Sequence, residues 1–230
     1  MPHTRRLALR LSAKALLGLM VMPRPVLARR DSDALDWQRF LDHLSNLAEA
    51  QFTQDWHTDA YVEDVAILMK RLDLGDRHFR RFIRRYRDTA EGMPSIRRAH
   101  GGGHFSVATL HFEPGESIDL HDHPRMTGVI LGMRGSARIE SFDRLDDPDR
   151  EDRWRLRPAG AVDVRPGIHA TLTPERGNVH ALHADVFTEL IDVFTPPYDE
   201  SRKADFKWYE RNKVPSQDGT YAAWERPQRG

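Results

Sequence analysis

Two histidines separated by one residue, His121 and His123, are the pair in this chain best placed to do chemistry. They stand in a β context, where side chains two apart point to the same face. Two neutral imidazoles on one face can grip one cation, and iron, zinc, copper and nickel all suit them. Pro124 follows, so the strand leaves its sheet there. A third donor must come from farther along, and His169, His180 and His183 compete for the place. On a strand His183, three residues from His180, faces the other way. His3, His43, His57, His78, His100, His104 and His111 have no partner at ligand spacing. Cysteine is absent, which excludes disulfides and cysteine-bound zinc.

The elements that must position these histidines fall into two groups. Leu35, Phe40, Leu41, Leu44 and Leu47 recur at three-and-four spacing and predict one amphipathic helix. Tyr61, Val65, Leu68, Met69 and Leu72 predict a second, ended by Gly75. A third runs from Asp76 through Phe79, Phe82, Ile83 and Tyr86. Its many arginines, from Arg77 to Arg87, read as a solvated or ion-paired surface. From His104 the period changes to two: Phe105, Val107, Thr109, His111 and Glu113 face one way, Ser106, Ala108, Leu110 and Phe112 the other. Further strands are expected at 127–133, 137–142, 153–156 and 161–164, with a long one near 182–194. Pro114-Gly115, Gly135-Ser136, Pro158-Ala159-Gly160 and Pro166-Gly167 mark turns between them. Many short strands at this spacing predict a mainly β barrel or sandwich.

Bulk composition narrows the uses. The 35 basic and 35 acidic residues cancel, which gives no footprint for nucleic acid. The helix at 76–87 is the only candidate for reading DNA, and its neighbours lack a short helix-turn-helix turn. The charge is nonetheless uneven, since the first acidic residue is Asp31. Arg5, Arg6, Arg10, Lys14 and Arg24 flank the apolar run Ala15–Met22, too short to span a bilayer, and Val26-Leu27-Ala28 fits a cleavage box. Thr4-Arg5-Arg6-Leu7-Ala8-Leu9-Arg10 is similar to a twin-arginine export signal. Cleavage after Ala28 would remove those five charges and leave the remainder about five units acidic. The expected organisation is therefore a leader over 1–28, a helical segment over 32–100, a metal-binding barrel over 101–212 and a polar tail over 213–230. Export, to the periplasm or beyond, is expected, with the cytoplasm as the alternative and no membrane partner for the mature chain.

Gly115, His121-Asp122-His123, Gly128 and Gly135 are spaced as in the first cupin motif, and Pro174 to His180 resembles the second. Many cupins place a glutamate ligand after a gap of three or four residues beyond the second histidine. Here Thr127 and Gly128 stand there and offer no carboxylate. Leu120-His121-Asp122-His123-Pro124, Met126-Thr127, Ser141-Phe142-Asp143, Leu172-Thr173-Pro174, Gly177-Asn178-Val179-His180, Ile191-Asp192-Val193 and Pro196-Pro197-Tyr198 together resemble the cysteamine dioxygenase and plant cysteine oxidase family of thiol dioxygenases. The resemblance covers roughly residues 95–212. Phe206-Lys207-Trp208-Tyr209 departs from the cysteine and paired tyrosines common in that family, so no thioether crosslink can form. Arg125 stands where relatives often have glycine.

The resemblance implies a cupin-type double-stranded β-helix and selects His180 as the third ligand of Fe(II) beside His121 and His123. It implies that both atoms of O2 pass to a thiol, giving a sulfinate. The substrate would be cysteamine, a peptide with N-terminal cysteine or a related aminothiol. Asp192 would orient a ligand or hold the substrate amine, and Tyr198 would aim its hydroxyl at oxygen or sulfur. A monomer is expected. Two other readings stay open: a metallo-cupin enzyme with a non-thiol substrate, and a non-enzymatic cupin binding protein.

Overall fold

A computed structural model describes residues 33–53, 56–84, 95–101, 103–146, 153–197 and 206–226, with the backbone alone for 84 and 95–101. The leader expected over 1–28 and the tyrosine at 198 lie outside these residues.

Three helices come first: α1 (Trp37–Glu49), α2 (Thr58–Lys70) and α3 (Arg77–Arg84). Asp36 caps α1, its carboxylate accepting the Arg39 N–H at 2.9 Å. Asp76 does the same for α3 through the His78 and Phe79 N–H groups. Phe40, Leu44 and Ala48 share one buried face of α1 at four-residue spacing. Leu35 lies outside that helix: it bridges Leu72 in parallel, which clips the start of the segment to the end of α2.

Eleven strands follow: β1 (Ser95–Gly101), β2 (Phe105–Phe112), β3 (Ser117–His121), β4 (Thr127–Arg134), β5 (Ala137–Asp146), β6 (Trp154–Val164), β7 (His169–Leu172), β8 (Val179–His183), β9 (Thr188–Thr195), β10 (Trp208–Arg211) and β11 (Tyr221–Arg226). They form one five-stranded sheet, β1-β2-β9-β4-β7, and a six-stranded sheet closed on itself, β10-β11-β6-β5-β8-β3. Strands β2 to β9 divide between the two as β2-β9-β4-β7 and β3-β8-β5-β6, alternating except at the β5–β6 hairpin, which is the jelly-roll order. The architecture is thus mainly β and of the cupin type, preceded by helices.

The period-two pattern of β2 explains how the layers stack. Phe105 and Val107 join Val129, Leu131, Ile191 and Val193 in a core shared with the helices, including Phe40, Leu44, Val65 and Phe79. Leu110 and Phe112 turn the other way, into a second core with Ile118, Ile139 and Leu182 from the facing sheet. Tyr61 of α2 hydrogen-bonds the Thr195 hydroxyl at the end of β9, so the helical layer also touches the strand that leads toward the site.

Several expected boundaries move. The segments at 153–156 and 161–164 are one strand, β6, because Pro158–Gly160 is absorbed as a bulge where the β5 register shifts between Ser141 and Phe142. The long strand expected over 182–194 is two, since the chain leaves β8 at Ala184 and re-enters as β9 in the other sheet. β1 lies inside the span expected to be helical, so the change to β structure precedes the three glycines. The polar tail expected over 213–230 contains β11, which pairs with both β6 and β10. Strand pairing with distant residues decides each of these, and local pattern carries no record of it.

Candidate metal centre

His121, His123 and His180 converge. One ring nitrogen from each lies within 4.8 Å of the other two. His121 ends β3, and His180 sits opposite it as its cross-strand partner on β8. His123 lies two residues beyond the strand end, on the turn into β4, and not on the strand face that the spacing predicts. The turn nevertheless brings His123 Nε2 to 3.0 Å from His121 Nε2. The rings of His121 and His180 are 4.5 Å apart, and those of His123 and His180 5.0 Å.

All three side chains are buried, and burial sets their protonation. Desolvation lowers the His121 pKa to about 4, against a smaller upward pull from the Asp119 carbonyl and charge. His180 is driven well below the usual histidine value by burial and by His121. Neutral imidazole is the form that binds cations. The Nδ1–H of His121 donates to the Asp119 carbonyl at 2.8 Å, which leaves Nε2 with its lone pair facing the cluster. Nδ1 of His180 is buried with no hydrogen-bond partner.

His121 Nε2 and His123 Nε2, 3.0 Å apart, are spaced to share a cation in place of a proton. Donors about 2.1 Å from one ion and at right angles to each other stand about 3.0 Å apart, so the residues fit a divalent metal of the iron–zinc series. Among the described residues no carboxylate joins the three imidazoles. A Cβ on Gly128 would lie 2.7 Å from Phe194 Cε1, so a side chain there would displace that ring, which stacks on His123 with ring centroids 4.5 Å apart.

Polar bonds hold the ligand-bearing turns. Asn178 grips His123 at two points: its Oδ1 accepts the His123 N–H at 3.0 Å and its Nδ2 donates to the His123 carbonyl at 2.9 Å. The turn before His180 is pinned by Asp143, whose carboxylate accepts the Gly177 N–H at 2.8 Å. Arg125, in the turn after His123, has φ of +62°, a left-handed conformation that favours glycine. The motif reading included Asn178 and Asp143 without a role, and only their partners across the barrel show one.

A cavity of about 30 Å³ opens beside His180, room for one or two water-sized groups. Ile130, Ile139, Leu172 and Phe194 make it largely apolar, while Ser141 and Asp192 are polar. Asp192, on β9, is 8% exposed, and burial holds its carboxyl well above the usual range despite the Val193 N–H. The other two histidine candidates are elsewhere. His169 is half-buried on β7 opposite Leu131, and exposed His183 bonds Ser117 and Asp185. No helix among the described residues is long and apolar enough to cross a membrane.

A sequence profile described as PCO_ADO matches residues 71–228. The chain is 31% identical over 126 residues to 2-aminoethanethiol dioxygenase of Mus musculus, spanning 46% of this chain and 49% of that protein. It is 30% identical over 138 residues to plant cysteine oxidase 1 of Arabidopsis thaliana, spanning 57% and 47% respectively. The chain spans about half the length of the curated relatives it matches. Among solved structures, KdgF from Halomonas sp. aligns over 50% of this chain and 88% of its own, at 16% identity and a TM-score of 0.38.

Proposed function

The chain belongs to the PCO_ADO family, and from that premise we propose that it is an iron-dependent thiol dioxygenase with the metal held by His121, His123 and His180. The observation that carries the proposal is the donor set. Three buried imidazoles converge, and among the described residues no carboxylate lies with them. Neutral donors leave a divalent cation its full charge, and such a cation favours thiolate over thiol. Bound Fe(II) would supply the place where the thiolate and O2 meet. The conversion of thiol and O2 to sulfinic acid balances without a further reductant: sulfur gives up four electrons, and O2 takes up four.

The protein's own groups bind and orient. Asp192 is the acidic group lining the cavity beside His180, and no lysine or arginine lines it. A neutral Asp192 accepts or donates a hydrogen bond; an ammonium entering the cavity would draw it to the ionised form and pair with it. The proposed substrates are therefore aminothiols: cysteamine or an N-terminal cysteine. The names of the mouse and Arabidopsis relatives support this class. Ile130, Leu172 and Phe194 keep bulk water from the cavity. Tyr198 is proposed to direct its hydroxyl to the reacting oxygen or sulfur. Export through the twin-arginine-like leader belongs to the same proposal, and an intact Met1 or Pro2 in the mature protein would sink that part.

The test is O2 uptake by iron-loaded protein over a panel of thiols, with product mass. Uptake with a gain of two oxygens on an aminothiol is expected. No uptake with any thiol, or native protein filled with zinc, would overturn the reading.

A further inference from the structure

Asp122 stands between the two ligands His121 and His123, and its carboxylate is turned away from the cluster. Its Oδ1 accepts the Lys207 N–H at 2.8 Å. Its Oδ2 accepts the Tyr209 hydroxyl at 2.7 Å and Arg144 Nη1 at 3.1 Å. Arg144 Nη1 also donates to the Tyr209 oxygen at 2.7 Å, which closes a three-membered network. Both Asp122 and Tyr209 are only 2% exposed. The Asp122 N–H donates to the Lys207 carbonyl at 3.0 Å, so backbone and side chain hold the same stretch of chain.

From this arrangement we propose that Asp122, through Tyr209 and Arg144, is the positioning residue that keeps His121 and His123 in metal-binding register before metal arrives. This rests on the three histidines being a metal site and not on the substrate being a thiol. Three observations support it. First, the ladder fixes His121 alone: β3 ends there, with His121 opposite His180 of β8 and Trp208 of β10. His123 lies past the strand end, where Asn178 holds its backbone from the start of β8 and Asp122 ties the same turn to β5 and β10. Second, every partner of the carboxylate comes from another strand or its flank, at separations of 22, 85 and 87 residues, so the bonds fix the turn against β5 and β10 together. Third, a buried carboxylate paired with arginine is a poor source of stability, because desolvation offsets its attraction, and its best-attested use is to specify register. Trp208, next to Tyr209, lays its ring 5.0 Å from that of His121, so β10 acts on the ligand from both sides of its backbone.

The test titrates Co(II) into the metal-free full-length protein and follows its visible spectrum. Tyr209→Phe removes one hydroxyl and should weaken Co(II) binding roughly 10- to 100-fold, with shifted visible bands. Asp122→Asn should do at least as much, and adding Tyr209→Phe to it should cost little more, since both act through one network. If Asp122→Asn fails to fold, Arg144→Gln replaces it in the cycle. Arg138→Gln, which removes an exposed ion pair to Asp163 on the same sheet, should leave affinity and spectrum unchanged. The proposal is overturned if Tyr209→Phe matches the parent in affinity and spectrum, even with a lower Tm, or if the two losses simply add. A parent protein that takes up no cobalt overturns it together with the metal site. A parent that binds cobalt but, iron-loaded, oxidises no thiol overturns only the dioxygenase reading.

Discussion

Val107, Val129, Ile191 and Val193 turn from the five-stranded sheet toward the helices and are almost fully buried there, whereas the six-stranded sheet presents His121, His180, Asp122 and Tyr209. The first sheet is held by apolar packing on both faces. The second is held near the site by directional bonds between residues far apart in sequence. Packing energy is broad and non-directional, so it fixes a layer without fixing an atom. Hydrogen bonds to charged groups are short and oriented, so they place an imidazole. Stability and metal affinity should therefore come apart under mutation.

The largest expected effect is on the second sheet. His180→Ala removes a donor and should abolish metal retention on dialysis, a greater loss than the roughly 100-fold typical of an outer partner, while circular dichroism keeps its native shape. Next comes the first sheet's helical cover. Phe79 is fully buried against Trp37, and Phe79→Ala should cost about 3–5 kcal/mol of stability by denaturant titration with Co(II) affinity unchanged. A change of affinity there would break the division between the sheets.

Acid should then act through the ligand sheet. The folded His121 pKa is about 4, below the usual 6.5, so between those values the unfolded chain binds a proton that the folded one does not. Stability of the metal-free protein should fall as pH drops from about 6.5 to about 4, by on the order of 3 kcal/mol, and be insensitive to this group above that window. Burial depresses His180 in the same direction, so His121→Gln should reduce the slope without abolishing it, and an unchanged slope would assign it elsewhere. The smallest effect is expected at Asn178→Ala, which loses the grip on His123. About tenfold weaker metal binding, or about 1.4 kcal/mol, should accompany a barely altered Tm.

Much of this was legible in the residues. Helix faces and the alternation of β2 follow from spacing, because a 3.6 or 2.0 period is a local property. The bulge at Gly160 and the break at Ala184 were not, because a continuous β pattern does not say which strand it will pair with. The role of Asn178 was hidden for the same reason: its partner His123 is 55 residues away.

By itself the sequence supplied the pair His121 and His123, two apart, three candidates for a third donor among which a family resemblance selected His180, and no cysteine to compete. Tertiary structure decided the rest. It placed His180 opposite His121, sent His169 and His183 elsewhere, packed Phe194 against Gly128 and His123 and tied Asp122 to Tyr209. Donor chemistry belongs to single residues and can be read one at a time. Convergence depends on which strands lie side by side, and that is settled only when the whole barrel closes.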